Sequence, residues 1–331
     1  MGLNSGIRNY IPFEELNYSD LKGKTLAVDI FNSLYQFLSA IRTEDGNLLE
    51  RNGVVVSHLY GILWRYGYLL SIGAKLIFVF DGKPNDMKER TIEERHKQKT
   101  KIIDEIETAK RNHNDEEVAR LKRFTAKVDN SIINSTKKLA SLLGIDYIDS
   151  PDEGESEAIH LVKTGFADYV VTQDYDAIAY NCQNILRNIG IKKDNHYVKI
   201  NRVNSTNVFK VMGVSYDQFL YIAFMTGTDY NEGIHNVGIK RALKIAQKSN
   251  NDEELVSNLI ENNFISENER NDVIRELKSV IYKFKNPNVY DGKMIVKNKF
   301  DENKLIEYLE SLNFNIERFL PMLDKIKNIN H

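Results

Sequence analysis

An α/β fold with a mostly parallel central sheet flanked by helices is predicted for this 331-residue chain. Three short apolar runs carry the prediction: Leu26-Ala27-Val28-Asp29, Lys75-Leu76-Ile77-Phe78-Val79-Phe80-Asp81 and Asp168-Tyr169-Val170-Val171-Thr172-Gln173-Asp174. Helical stretches near 54–72, 131–143 and 155–164 alternate with them. Each run ends in an aspartate. Ligands of parallel sheets bind beyond the carboxyl ends of the strands, so three acids placed there are the first functional signal.

Residues 85–127 are different in character. Charged and polar side chains dominate and apolar ones are scattered, which predicts one or two exposed helices standing away from the core. From about 214 onward the pattern is mainly helical, around 216–226, 239–248, 253–262, 302–312 and 316–327. Asn286-Pro287-Asn288 reads as a loop, and no Gly/Ser/Pro linker separates the halves. The expected organisation is residues 1–210 as a core and 211–331 as helices packed on it.

Composition excludes several classes. With 42% apolar residues a packed core is within reach. Lys and Arg number 45 against 47 Asp and Glu, a net charge of −2, so any nucleic-acid contact must come from local patches. The longest apolar runs fall far short of a membrane span. Cys182 is the only cysteine, which excludes an intrachain disulfide and a cysteine-based zinc site. Met1 to Tyr10 lacks the apolar region of a targeting segment, and the chain reads as intracellular, in an archaeal cytoplasm or a eukaryotic nucleus.

Seven acids stand out: Asp29, Asp81, Glu153, Glu155, Asp174, Asp176 and Asp229. Glu153 and Glu155 lie in Pro151-Asp152-Glu153-Gly154-Glu155-Ser156-Glu157, at a predicted helix start, where acids also serve as simple caps. Asp229 lies in Gly227-Thr228-Asp229-Tyr230, after an apolar helix. Alone, each acid reads as solvated. Convergence would change that, because two carboxylates ~4 Å apart repel by about 4 kcal/mol at an effective dielectric near 20. A converged set requires divalent cations or raised pKa values. Oxygen ligands without His or Cys favour Mg²⁺ or Mn²⁺ over Zn²⁺. Two such ions about 4 Å apart would suit in-line displacement at phosphorus, hence hydrolysis of a phosphodiester or phosphomonoester.

At these residues the chain resembles the flap structure-specific endonucleases of the XPG superfamily. The matching text is Ala27 to Leu38, then Val79-Phe80-Asp81-Gly82-Lys83-Pro84, Pro151 to Ala158, Gln173-Asp174-Tyr175-Asp176 and Gly227-Thr228-Asp229-Tyr230-Asn231. The segments follow the family's order and extend the similarity over nearly the whole chain. The resemblance implies a PIN-like nuclease core, a helical arch at 85–127 and a lobe containing a helix–two-turn–helix.

The same resemblance implies roles. Asp29, Asp81 and Glu153 correspond to ligands of a first metal, and Asp174, Asp176 and Asp229 to ligands of a second. Glu155 corresponds to an acid between them, although helix spacing alone would pair Glu153 with Glu157. Lys88 and Arg95, about 10 Å apart on one helix face, correspond to catalytic basic residues at the foot of the arch. Tyr35 resembles an aromatic that stacks on substrate, and Gly2 a residue beside the active site. Gly233 to Lys248 resembles the duplex-holding helix–two-turn–helix, with Gly238, Lys240, Arg241 and Lys244 as phosphate contacts. The family binds K⁺ there; this sequence has Asn236 for the usual first glycine and Ile239 for the usual proline. Asn accepts positive φ, which preserves the turn. The partner implied is branched DNA with a 5′ flap, acted on by a monomer. The family's terminal clamp-binding motif is not seen in Asp324 to His331. Either it lies outside this sequence, or a sliding clamp binds another surface.

Two readings compete. Asp174-x-Asp176 also looks like the nucleophile motif of HAD-type phosphatases, but Ile178 stands where Thr or Val is expected, and Asp29, Asp81 and Asp229 go unexplained. A non-catalytic junction binder would gain by losing seven anions near phosphate. Within the superfamily, a 5′ exonuclease or junction resolvase is the alternative.

Overall fold

Alternation along the apolar runs sorts their side chains between two cores. Leu26, Val28, Leu76, Phe78 and Phe80 enter one, while Ala27, Ile77 and Val79 enter the other. This is the two-residue period of a strand covered on both faces. The computed structural model describes residues 3, 6–82, 89–190, 192–193, 196–290 and 292–330, with the backbone alone at 89–99, 192–193, 196–197 and 330.

The strands in chain order are β1 (Glu14–Leu16), β2 (Thr25–Asp29), β3 (Glu50–Arg51), β4 (Val54–Val55), β5 (Lys75–Phe80), β6 (Asp146–Asp149), β7 (Tyr169–Val171), β8 (Ile185–Arg187), β9 (Lys192–Lys193), β10 (His196–Tyr197) and β11 (Ile200–Val203). Seven form the central sheet in the order β1-β11-β8-β7-β2-β5-β6. The block β8-β7-β2-β5-β6 is parallel, with Val28 opposite Phe78 on one side and Val171 on the other. β11 and β1 add to it antiparallel. From β2 the chain builds outward through β5 and β6, then returns to β7 on the other side of β2. That reversal makes a crevice between β2 and β7, the usual ligand position in such sheets.

The expected mostly parallel α/β fold is therefore present. The expected helix at 216–226 is Tyr216–Thr226, with Ser215 and Gln218 forming a capping box. The stretch at 54–72 divides into Ser57–Ile62, a wider π turn at Leu63–Gly67, and Tyr68–Ser71. Sequence periodicity did not single out Ile30–Ala40, Ser205–Met212 or Arg270–Lys285, nor strands β1, β8 and β11. Those strands are three or four residues long, too short to display a period.

The helices of the second half divide between the faces. Phe219, Ala242, Leu255 and Phe284 pack in the core containing Ala27. Leu305, Leu309, Leu323 and Ile326 pack in the core containing Val28. Residues 89–122 form helices Glu89–Arg111 and Asp115–Lys122. Ile106, Ala109, Val118 and Leu121 give this hairpin a small cluster of its own, separate from both main cores. Its second helix is tied to the body where the Lys122 ammonium donates to the Asp45 carbonyl at 3.1 Å and to Asn47 Oδ1 at 2.8 Å. No described helix is long and apolar enough to cross a membrane.

Candidate active site

Each acid reaches the crevice by a local device. Asp29 ends β2 and caps helix Ile30–Ala40, its carboxylate accepting from the Asn32 N–H at 3.4 Å. Asp81 lies one residue past β5, and its carboxylate accepts from the Gly154 N–H at 2.6 Å. The segment before Gly154 is pinned to the same strand end. The Ser150 N–H donates to the Phe80 carbonyl at 2.8 Å, and the Gly82 N–H to the Asp152 carbonyl at 2.7 Å.

Glu153 is the N-cap of helix Gly154–Lys163, and Glu155 lies in its first turn. Glu155 accepts from the Thr172 hydroxyl at 2.8 Å; that hydroxyl in turn accepts from the Asp174 N–H at 3.0 Å. The Asp176 N–H donates to Asp174 Oδ1 at 3.1 Å, folding Asp174 and Asp176 toward each other. Asp229 sits in a turn held by Asn231, whose Oδ1 accepts from the Thr228 N–H and hydroxyl at 3.2 and 2.9 Å.

All seven acids line one cavity of about 150 Å³. Asn32, Phe31, Tyr35, Tyr180, Tyr230 and Phe284 complete its wall. Tyr35, 46% exposed, stands at the rim. Gly238, Lys240, Arg241 and Lys244 lie elsewhere, at and within helix Ile239–Ala246, and the three cations are exposed. Asn236 keeps the positive φ, 62°, that its turn needs. Gly2 and Lys88 lie outside the described residues; Arg95 is on helix Glu89–Arg111 with its side chain outside them.

The electrostatics of the cavity are those of crowded like charges. Asp29 is pushed up to about 7, first by desolvation and then by the charges of Asp81 and Asp174, against the opposing Asn32 N–H bond. Glu155 is raised well above the carboxylate range by burial, then by Asp174, Asp29 and Asp176. Burial and the Glu153 carboxylate also raise the Tyr180 and Tyr230 phenols, so both remain protonated. Among the described residues, no three Asp, Glu, His or Cys side chains are drawn together closely enough to hold an ion as they stand. The acids ring the space instead of closing on it, as mutual repulsion requires. With seven carboxylates, no His and no Cys in the wall, the donor set fits hard divalent cations.

Part of this wall was not found by sequence reasoning. Asn32 is the third residue after Asp29, the spacing of a cap and its N–H partner, and was legible in principle. Tyr180 and Phe284 lie 104 positions apart and carry no local signal. Their contact is a product of the fold.

Comparison with known proteins places this geometry. The XPG N-terminal domain family matches residues 1–102, and the XPG I-region family matches residues 144–229. Asp29 and Asp81 fall in the first region; Glu153, Glu155, Asp174, Asp176 and Asp229 fall in the second. The class is thus that of the XPG-type nucleases, which are metal-dependent. Flap endonuclease 1 of Methanosarcina barkeri is 32% identical over 98% of this chain and 96% of its own. The solved flap endonuclease-1 from Methanococcus jannaschii superposes with a TM-score of 0.71 at 29% identity, covering 99% of this chain and 98% of that one. The catalytic core of Rad2 in complex with DNA substrate shares the fold, at a TM-score of 0.74 and 20% identity over 98% of this chain and 100% of that one. The chain belongs to the flap endonuclease family.

Proposed function

We propose that this protein is a structure-specific 5′ nuclease. It hydrolyses one phosphodiester where an unpaired 5′ strand leaves a duplex, as DNA replication and repair require. The observation that carries the reading is the gathering of seven carboxylates, from separated stretches of chain, around one cavity at the sheet's crevice.

Asp29, Asp81 and Glu153 would hold one divalent ion and Asp174, Asp176 and Asp229 a second, with Glu155 between them. Mg²⁺ is the physiological choice, and Mn²⁺ substitutes. Such a pair supplies Lewis acidity to both the attacking and the leaving oxygen of an in-line displacement. The chain's own side chains do the rest. Tyr35 offers an exposed ring at the rim for stacking on a nucleotide beside the scissile bond. Lys88 and Arg95 stabilise negative charge developing on the phosphate. Helix Ile239–Ala246 presents its N-terminal amides, Lys240, Arg241 and Lys244 to the duplex backbone. Residues 1–210 act as the nuclease core and 211–331 as the duplex-holding helices. The resemblance gives Gly2 a part in holding the DNA.

Phosphate contacts carry no base information, so branch shape and not sequence selects the substrate. Bending the junction and unpairing its end cost a few kcal/mol, which duplex contacts must offset. A sliding clamp would bind either through a terminal motif outside this sequence or through another surface of the chain. Potassium at the turn before helix Ile239–Ala246 rests on the resemblance; flap-DNA affinity in K⁺ against Na⁺, at one ionic strength, tests it.

The deciding experiment maps Mg²⁺-dependent products on a labelled double-flap DNA, a blunt duplex and a four-way junction. Preferred cutting at the flap base is expected. Efficient cutting of the four-way junction alone would make the protein a resolvase, and of the blunt duplex alone an exonuclease. A HAD-type phosphatase uses Asp174 and Asp176 but gives no work to the other acids lining the cavity.

A further inference from the structure

One wall of the acid cavity is aromatic and extends behind it. Tyr180 is 2% exposed, and its hydroxyl lies 2.6 Å from that of Tyr230. The Tyr230 hydroxyl lies within hydrogen-bonding reach of the Glu153 carboxylate. Tyr180 is 3.5 Å from Glu153 Oε2, at the outer limit of a bond. A carboxylate only accepts, so the protons run toward Glu153: with Tyr180 at the limit of reach, Tyr180 donates to Tyr230, and Tyr230 donates to Glu153.

The two rings are fixed from behind by a distant element. Phe284 meets Tyr180 edge-on at 4.9 Å and Tyr230 edge-on at 5.4 Å between centroids. Its neighbour Lys283 reaches Asp152, next to Glu153, at 3.5 Å. Helix Arg270–Lys285 therefore braces both the tyrosines and the loop that carries Glu153. Glu153 is an N-cap residue whose side chain makes no cap bond, so its direction is not set by its own helix.

We infer that Tyr180 and Tyr230 form a positioning relay, braced by Phe284, that aims the Glu153 carboxylate into the cavity and sets its affinity for a divalent cation. The inference rests on the reading of this cavity as the metal-dependent centre. The physical cause is general: a ligating carboxylate is oriented by outer hydrogen bonds, and removing such a bond costs roughly 10–100-fold in metal affinity.

The test measures Mn²⁺ binding to the DNA-free protein by the electron paramagnetic resonance of the unbound ion. The wild type is expected to bind, and Asp174→Ala to lose part of that binding. Tyr230→Phe keeps the ring against Phe284 and removes only the hydroxyl; its Mn²⁺ affinity should fall by about 10–100-fold while its circular dichroism is unchanged. Tyr180→Phe should weaken binding less, and adding it to Tyr230→Phe should do little more, because a relay fails at its last link. Saturating Mg²⁺ should restore the cleavage rate of Tyr230→Phe. An affinity within about twofold of wild type, or a rate deficit that Mg²⁺ does not restore, overturns the relay. Should Tyr230→Phe not fold, Tyr180→Phe decides by the same twofold criterion. Wild-type protein that binds no Mn²⁺ sensitive to Asp174→Ala would overturn the metal reading itself.

Discussion

The Gly154 backbone N–H donates to the Asp81 carboxylate at 2.6 Å, joining the end of strand β5 to the start of helix Gly154–Lys163. That one bond fixes an acid of the first half of the chain relative to Glu153 and Glu155, more than 70 positions later. It also satisfies one of the free amides at a helix start with a negative charge, which the helix dipole favours.

Gly154 tests the join. A Cβ there would lie 2.8 Å from Asp81 Oδ1 and 3.3 Å from the Val79 carbonyl. Gly154→Ala should push the Asp81 carboxylate aside and lower single-turnover flap cleavage by about 10–100-fold. Flap-DNA affinity should change little. An unchanged rate would mean that the Asp81 position is not set here.

Asp174 touches both neighbours through which the cavity is organised: it accepts from the Asp176 N–H and raises Glu155 by its charge. Asp174→Ala should abolish Mg²⁺-dependent cleavage. Binding of flap DNA in Ca²⁺ should stay within about 1–2 kcal/mol of wild type, as read by fluorescence anisotropy. Undiminished cleavage would remove Asp174 from the reaction.

Stability should depend on pH in a direction set by the acids. Asp29, raised from 3.8 to about 7, holds its proton more tightly folded than unfolded. Its contribution is full below the unfolded value and is lost as pH rises through about 7; Glu155 acts in the same sense. His58 acts oppositely. Buried and lowered from 6.5 to about 4, it adds stability as pH rises between those values and is constant above them. In EDTA the two oppose each other between about pH 4 and 6.5, so the melting temperature should fall as pH rises from about 6.5 through 7, and Mg²⁺ should cancel the fall. A melting temperature that rises over that range without metal would contradict the crowding of charge at the cavity.

The hairpin of 89–122 should loosen without unfolding the body. Leu121 is 4% exposed within its four-residue cluster. Leu121→Ala should cost about 2–5 kcal/mol locally. Limited proteolysis should then cut faster within the hairpin, while the main calorimetric transition moves little. A large drop in the main transition would show that the hairpin is part of the central core.

Strand β5 illustrates what could be read directly. Its unbroken apolar run implies burial on both faces, and an acid immediately after such a strand falls where parallel sheets bind ligands. The same reasoning reached Asp29 and Asp174. Glu153 and Glu155 were different: helix spacing offered Glu157 as the partner, and only the family pattern chose Glu155. In the structure Glu157 is fully buried and accepts from the Tyr290 N–H at 2.7 Å, while Glu155 lines the cavity. Contacts across the fold, Thr172 for Glu155 and the Tyr290 N–H for Glu157, separate the two, and no periodicity encodes them.

By itself the sequence determined the layered class, the strands that end in acids and the kinship, because these are written in local periodicity and in short ordered motifs. Only the tertiary structure decided that Tyr180, Tyr230 and Phe284 meet behind Glu153, that β11 and β1 close one edge antiparallel, and that the last two helices cross to the opposite face. Such pairings depend on where distant segments are packed, and packing free energy is a property of the assembled core, not of any window of residues.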